Sequence, residues 1–496
     1  MVLANGATER QRDLAGADVR LGHACTCRRQ CSTARGNLRA AVLALLVLAF
    51  FSKNAGAQSL QTLLTNGPVS NRFNVVLLSE GYTSNQLGQF ITDASAALSF
   101  MLSRTPYQEY SNYFNAFAIS VASADFGSDH PKYGIYKNTY FNSSFDLSDA
   151  LPTIPPNSFD ANYSDGQGKV DALLQTYMPT CQLPILLIND LKPGGSDGTS
   201  DKTAIVSRGG VWTNILVHET GHVVAGLGDE YTNASTATAI ERPNTTRETN
   251  RTAIKWRAWI DPGTPVPTQP QGSYPYVIGL FEGANYQITG WYRPKFDCGM
   301  NHLGVSFCEV CSEALVLSIY QKVRPVDQFT PATSSISVFS TQALNFNLVL
   351  LQPSTHNLVV QWSTNGIAVA GATNSLLTLS PLSLGNGTHQ VRATVSDPTP
   401  LVRNDPTNLL SQMVTWTLNV SLSQLSIDSA AWLPSGIFAF RVSGIAPAGF
   451  AVQSSTNLNN WLSLSTNNLG SGQFWYTNYG ASAFPGKYFR AVTPPQ

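Results

Sequence analysis

The sequence predicts a multidomain protein in which an α/β domain is followed by two all-β, sandwich-like domains. Three observations predict it. Residues 72–79, 85–102 and 113–120 read as strand, helix and strand, the order of a layered α/β domain. After about Arg324 helical spacing stops, and short alternating runs separated by turns take over. The 496 residues are 43% hydrophobic, more than a single domain's core requires. The expected boundaries are 1–57 for an export leader, 58–324 for the α/β domain, and 325–421 and 422–496 for the β domains.

Only 12% of residues are charged and the formal net charge is zero, about half the usual charged share of soluble domains. No basic stripe or aromatic-interleaved Lys/Arg run is present, so nothing marks a nucleic-acid partner. Asn, Ser and Thr must carry the polar surface, as suits an exported protein. Arg28, Arg29, Arg35 and Arg39 precede an apolar run over 40–51, and Ala55-Gly56-Ala57 follows as an A-x-A-like cleavage site. The run is short for a membrane helix, and no later stretch reaches spanning length. A secreted chain, extracellular or periplasmic and without a membrane span, is expected after cleavage of this signal peptide. Cleavage removes Cys25, Cys27 and Cys31 and leaves Cys181, Cys298, Cys308 and Cys311, an even number in an oxidising compartment. Disulfides among these four are expected. Cys308-Glu309-Val310-Cys311 also has the spacing of half a structural zinc site, which needs two further ligands.

The segment 58–70 reads as an entry segment. Val and Leu make 72–79 a buried strand, ended by the turn Glu80-Gly81-Tyr82-Thr83. Leu87, Phe90, Ala94, Ala97 and Leu98 recur at helical spacing, and a second strand follows over 113–120. The stretch 123–165, with Pro155-Pro156, reads as a long surface loop lining a cleft. A short helix over 169–177 and a third buried strand over 183–189 come next. Pro193-Gly194-Gly195-Ser196-Asp197-Gly198 is a flexible turn without the Lys-Ser/Thr ending of a phosphate loop. Residues 204–207 read as an edge strand to which a peptide can add. A helix over 211–225 ends at Gly226 in a left-handed cap. A loop-rich insert spans 232–275, order resumes over 279–286, and a helix over 311–323 closes the domain. In the first β domain, 358–362, 376–379, 389–395 and 413–420 are strands, and Asn386-Gly387 is a hairpin signal; the pattern reads as an Ig-like sandwich. Strands over 438–442, 450–454, 473–477 and 488–492 make the last module. Neither β domain carries a titratable constellation, which suits a spacer or a contact with a surface or polysaccharide.

The chemistry sits on the helix over 211–225. His218-Glu219-Thr220-Gly221-His222 is an H-E-x-x-H pattern. With 7 His and 10 Glu in the chain, chance yields the pattern in about one chain in five hundred of this composition. Two imidazoles four residues apart stand on one helix face, the spacing of two ligands to one Zn2+. The Glu beside the first can take a proton from a water held there. A catalytic zinc takes three protein ligands. The turn at Gly226 leads to Asp229 and Glu230. Asp229 is the first choice for third ligand and Glu230 the alternative; the other acid would orient a ligand His or pair a buried Arg.

These blocks resemble the IgA-peptidase family of secreted bacterial zinc metallopeptidases, which are metzincin-like. The resemblance runs from about residue 72 to 320. It rests on Glu80-Gly81-Tyr82-Thr83 after its strand, the helix and turn over 218–231, and 279–283 followed by Tyr292-Arg293-Pro294. Its last block is Cys298-Gly299-Met300 before Phe307-Cys308-Glu309-Val310-Cys311. The resemblance implies proteolysis, one catalytic zinc, and Met300 as the methionine turn beneath the metal. The chain departs from the broader metzincin pattern: three residues rather than two separate the second His from the Gly, and acids stand where a third His is common. Some metzincins place an oxyanion-stabilising Tyr two residues after the turn Met. Here His302 holds that position, and Tyr292 and Arg293 are the other candidates.

A secreted zinc endopeptidase acting on extracellular proteins is therefore expected, with Zn2+ on His218, His222 and Asp229 and with Glu219 as general base. The natural substrate is set by cleft and accessory domains, so immunoglobulin does not follow from the resemblance. The alternative is a surface adhesion or glycan-binding protein with a non-catalytic zinc domain, against which the intact Glu219 argues. An amidase acting on cell-wall peptides is a third reading.

Overall fold

The computed structural model describes residues 58–154, 166–197, 202–233, 239–338, 342–421, 424–446, 449–468, 472–479 and 486–493. The expected leader with its cleavage site, Pro155-Pro156 and Gly198 lie outside these residues. No helix among the described residues is long and apolar enough to cross a membrane.

The first region is mixed α/β. Strands β1 (Ser59–Leu64), β2 (Phe73–Glu80), β3 (Phe114–Ser120), β4 (Cys181–Ile188), β5 (Gly195–Ser196) and β6 (Ala204–Ser207) form one sheet in the order β1-β3-β2-β4-β6-β5. β2 is parallel to β3 and β4, and β4 to β6, while β1 and β5 are antiparallel. Every residue of β2 and β3 is buried, because helices cover both faces of the sheet. The helices are α1 (Leu87–Met101), α2 (Gly166–Tyr177), α3 (Trp212–Ala225) and α4 (Glu309–Tyr320). α1, α3 and α4 pack on the face carrying Val75 and Leu77; α2 packs on the face carrying Val76 and Leu78.

Two expectations at the sheet edges are corrected. The segment 58–70 contains β1, which pairs along β3. Residues 204–207 are not an edge: β4 and β5 pair with β6 on its two sides. Ser196 Oγ donates to Pro152 O at 2.6 Å, so the short ribbon Ser144–Phe145/Pro152–Thr153 lies beyond β5. A peptide adding to β6 finds both sides paired. The loop after β3 is also more ordered than expected. The buried Glu80 carboxylate accepts from Thr139 Oγ1 (2.5 Å), Phe141 N (2.9 Å) and Ser143 N (2.8 Å) and pins it.

After α4 the described residues are mostly β, with one short α-helix at Pro381–Leu384. Val326–Thr330, Leu344–Leu350 and Leu376–Leu379 form one sheet. Ser335–Val338, Val359–Thr364, Ile367–Ala368, Gly387–Ser396 and Ser411–Val420 form a second, and both contribute to one core around Phe346, Trp362 and Trp416. Asn386-Gly387 is not a hairpin turn. Leu376–Leu379 pairs with Leu344–Leu350, and the chain crosses through Pro381–Leu384 to the other sheet, where Gly387–Ser396 begins. The last region has two three-stranded sheets around Phe440, Val442, Phe450 and Val452. Its strands Gln424–Leu433 and Leu462–Asn467 carry too little regular alternation to be read from sequence.

The α/β region and the first sandwich share a polar and apolar seam. Arg72 pairs with Asp327 through two bonds of 2.7 Å. Asp397 accepts from Tyr110 Oη (2.9 Å) and Tyr320 Oη (2.5 Å). Leu401, Val402, Leu409 and Leu410 pack against the α/β core.

Candidate active site

α3 begins at Trp212, a short turn after β6, and buries Ile215 and Leu216 against the core. Its 3.6-residue turn stacks His218 and His222, whose rings meet edge to face with centroids 4.9 Å apart. The helix stops at Gly226, whose φ of 61° lies in the left-handed region that disfavours a Cβ. The Gly226 amide donates to His222 O at 2.8 Å and the Leu227 amide to Gly221 O at 3.2 Å, the bonds of a left-handed helix cap. This reversal returns the chain beneath the helix and brings Asp229 to the histidines.

His218 Nε2 lies 3.2 Å from His222 Nε2 and 2.9 Å from Asp229 Oδ1, and His222 Nε2 lies 3.4 Å from the same oxygen. All three residues are buried. Each imidazole is oriented through its other nitrogen: His218 Nδ1 donates to Gly299 O at 3.0 Å, and His222 Nδ1 to Leu227 O at 2.7 Å. A carbonyl only accepts, so Nδ1 carries the hydrogen and Nε2 presents its lone pair to the common point. Two facing lone pairs and a carboxylate call for positive charge between them, and these side chains fit a metal ion. The electrostatics agree. Burial raises the Asp229 pKa, but the two imidazoles outweigh it and hold the carboxyl well below its usual range. Burial opposes charge on His222, yet the bond and charge of Asp229 push it up to about 10, so a proton on Nε2 competes with a metal ion for the same point.

Glu219 is buried on the same helix turn, and burial pushes its pKa up to about 7. It faces Gly195 of β5. A Cβ on that glycine would stand 2.6 Å from Glu219 Oε1 and strike Ile215, so the sheet edge approaches the helix only because residue 195 lacks a side chain. Met300 is fully buried, with its sulfur against Gly221, and its carbonyl accepts from the Glu230 amide at 2.8 Å. Asp197, His222, Asp229, Arg242 and Tyr286 border a cleft of about 500 Å3 beside the histidines.

Glu230 turns away from the histidines. Its carboxylate lies against Asn244 Nδ2 (2.9 Å) and Cys311 Sγ (3.3 Å), so consecutive acids serve opposite sides of the chain. Tyr292, Arg293 and His302 do not line the cleft. Tyr292 packs half-buried on the core, with its backbone paired to Thr246. Arg293 donates to the carbonyls of Gly283 and Glu282. His302 is on the surface, paired with Asp297 at 2.6 Å. The four cysteines are free thiols, which corrects the disulfide expectation. Cys181 packs on the opposite face of the sheet from Cys298, Cys308 and Cys311.

Tyr286 is the residue that sequence reasoning missed. β7 (Phe281–Ala284) and β8 (Gln287–Arg293) form a hairpin with Asn285 and Tyr286 as its two turn residues. Their φ values of 49° and 66° are those of a tight primed turn, which a tyrosine rarely adopts. The turn is tied to the site by Asn285 N to Asp229 O (2.8 Å) and Tyr286 N to Tyr231 O (3.0 Å). From there the Tyr286 hydroxyl donates to Asp229 Oδ2, leaving Oδ1 for the histidines. The backbone bonds of the turn and the hydroxyl contact with Asp229 together hold Tyr286 in this region.

Comparison with known proteins adds a family. None of the curated proteins compared matches the chain. Similar solved structures include three N-terminal domains of the outer capsid protein Hoc of bacteriophage RB49, at 8% identity and a TM-score of 0.19, covering 30% of this chain and 55% of that one. A chaperone-tip adhesin complex of CFA/I fimbriae matches at 9% identity and a TM-score of 0.13, covering 33% and 92%. Apo β-glucuronidase 3 of Bacteroides uniformis matches at 9% and 0.14, covering 44% and 30%. At these TM-scores the likenesses carry no argument. The chain spans about half the length of the capsid protein it matches. The sequence pattern of the IgA Peptidase M64 family, by contrast, matches residues 62–273 and 270–319, which include every residue of the histidine site and together make up just over half of the chain. The chain belongs to the IgA Peptidase M64 family.

Proposed function

We propose that the protein is a zinc-dependent endopeptidase with a metzincin-like catalytic region, exported through the leader in residues 1–57 and acting on extracellular proteins. The observation that carries this is the convergence of His218 Nε2, His222 Nε2 and Asp229 Oδ1 beside the buried Glu219. His218, His222 and Asp229 would hold Zn2+, whose Lewis acidity, when bound, makes water acidic near neutral pH and polarises a peptide carbonyl.

The chain's own residues do the rest. Gly299 O and Leu227 O keep both imidazoles in the tautomer that offers Nε2. Tyr286 holds Asp229 so that one oxygen stays on the histidines. Glu219 takes the proton of the attacking water and passes it to the leaving amine; its raised pKa suits a group that must both accept and release a proton near neutrality. The substrate lies along the cleft bordered by Asp197, Arg242 and Tyr286. The downstream sandwich, Ig-like in its two-sheet packing, braces the α/β region rather than adding chemistry.

Glu219→Gln tests the reading. It keeps the shape of the side chain and removes the base. Hydrolysis of a casein-derived peptide should fall by roughly 10^2–10^4-fold while zinc content is unchanged. Wild-type cleavage by this variant would remove Glu219 from the mechanism.

A further inference from the structure

Outside the histidine site, one buried cluster of metal-type ligands stands out. Cys298, Cys308, Cys311 and Glu230 each direct one ligand atom to a common point, all within 4.8 Å of one another, and all four are buried. Cys298 Sγ and Cys311 Sγ are 3.7 Å apart, and Cys311 Sγ is 3.3 Å from Glu230 Oε1. A tetrahedral ion with metal–sulfur bonds of about 2.3 Å sets sulfurs about 3.8 Å apart, with somewhat shorter sulfur–oxygen edges. Two edges of the cluster, Cys298–Cys311 and Cys311–Glu230, already have those lengths. A disulfide needs sulfurs at about 2.0 Å, and one bond among three thiols would leave the third thiol and Glu230 still facing each other.

Burial pushes the Cys298 and Cys311 thiols up, a cost that a cation bound between the sulfurs would offset, and backbone donors already face two of the sulfurs. The Cys308 amide donates to Cys298 Sγ at 3.2 Å, and the amides of Met300 and Cys311 face the sulfurs of Cys298 and Cys308. Cys308 and Cys311 stand at the start of α4, whose unpaired amides favour negative charge. Glu230 Oε2, fully buried, has no hydrogen-bond partner. A carboxylate left half-satisfied in a dry core is costly, and a metal ion in the cluster removes that cost. Arg293, held on the Gly283 carbonyl, adds a positive charge beside Glu230 and Cys298.

We infer that Glu230, Cys298, Cys308 and Cys311 form a second metal site, a closed four-ligand structural site for zinc or a similar thiophilic divalent cation, separate from the histidine site. No open position remains for water, so its role is to clip. It fastens the chain just after Asp229, the turn just before Met300, and the start of α4, all of which support the histidine site. It makes no use of the peptidase reading and stands or falls apart from it.

The test is the metal content of the mature chain in a His218→Ala/His222→Ala variant, with Co2+ as probe in place of zinc. This variant leaves the cysteine cluster intact and avoids Cys substitutions that threaten folding. The variant should retain about one metal ion per chain, and the wild type about two. The cobalt form should show the intense near-ultraviolet charge-transfer absorption of thiolate–cobalt bonds, which imidazole and carboxylate ligands do not give. A metal-free variant, a cobalt form without that absorption, or peptide mapping that finds two of the three cysteines oxidised to a disulfide would each overturn the inference. Cleavage by the wild type does not enter these outcomes, so failure of the peptidase reading is seen separately.

Discussion

Asp229 and Glu230 are neighbours with opposite assignments. Asp229 faces the two Nε2 atoms, while Glu230 faces three sulfurs. The Tyr286 hydroxyl separates the two oxygens of Asp229, one for the histidines and one for itself. Tyr286→Phe removes that bond alone. Metal affinity should weaken by about 10–100-fold, as for loss of other groups that orient a ligand, read as a lower chelator concentration for half-inactivation; an unchanged midpoint would show that Asp229 needs no such support. Much of the histidine site was legible because it is local. The four-residue spacing puts His218 and His222 on one face, and Gly226 announces the reversal that returns Asp229. Tyr286 was not legible, since it reaches Asp229 from 57 positions along the chain through a hairpin with no period linking it to the helix. The cysteines misled for a related reason. Counting suggests disulfides, and only the fold shows Cys181 on the far face of the sheet and Glu230 beside the other three.

Elements position these residues by close approach. β5 has two residues, too short for any periodicity to reveal, yet it brings the sheet edge to Glu219. The strap after β3 is held by charge instead. His130 lies 2.7 Å from Asp149 Oδ1 and 3.1 Å from Asp190 Oδ2, and Lys192 lies 3.0 Å from Asp149. Burial opposes a proton on His130, but the two carboxylates outweigh it and raise its pKa above the usual histidine value. A raised folded-state pKa stabilises below the unfolded value of about 6.5 and loses that contribution as pH rises through the higher folded value. Amide exchange of residues 128–150 should therefore quicken, beyond its intrinsic pH dependence, as pH rises past neutrality. His130→Ala should abolish the excess. Equal excess exchange in both proteins would show that His130 is not the clamp.

At the scale of the whole molecule, the α/β region and the sandwich form one packed body rather than beads on a linker. Asp397 of the sandwich side accepts from Tyr110, Tyr320, His356 Nε2 (2.6 Å) and the Thr399 amide (2.9 Å), and its side chain is fully buried. The change from helical to alternating pattern near Arg324 was visible in the sequence. The seam was not, because Tyr110 meets its acid 287 positions further along the chain. Asp397→Ala leaves two buried hydroxyls without their acceptor and should cost about 2–5 kcal/mol. Calorimetry should show a Tm lower by several degrees, with the proposed peptide hydrolysis lost in step with unfolding of the α/β region. A second, independent transition for the sandwich at an unchanged α/β Tm would contradict the shared seam.

The central claim is that His218, His222 and Asp229 hold the zinc that peptide hydrolysis requires, with Glu219 as base. The most direct measurement strips the mature protein with a chelator and follows cleavage of a fluorogenic peptide library as zinc is titrated back, with Glu219→Gln alongside. The account predicts that cleavage is lost on stripping, returns with zinc in the wild type, and never returns in Glu219→Gln although that variant rebinds the metal. Cleavage that survives complete removal of metal from the histidine site, or returns equally in the variant, would contradict it.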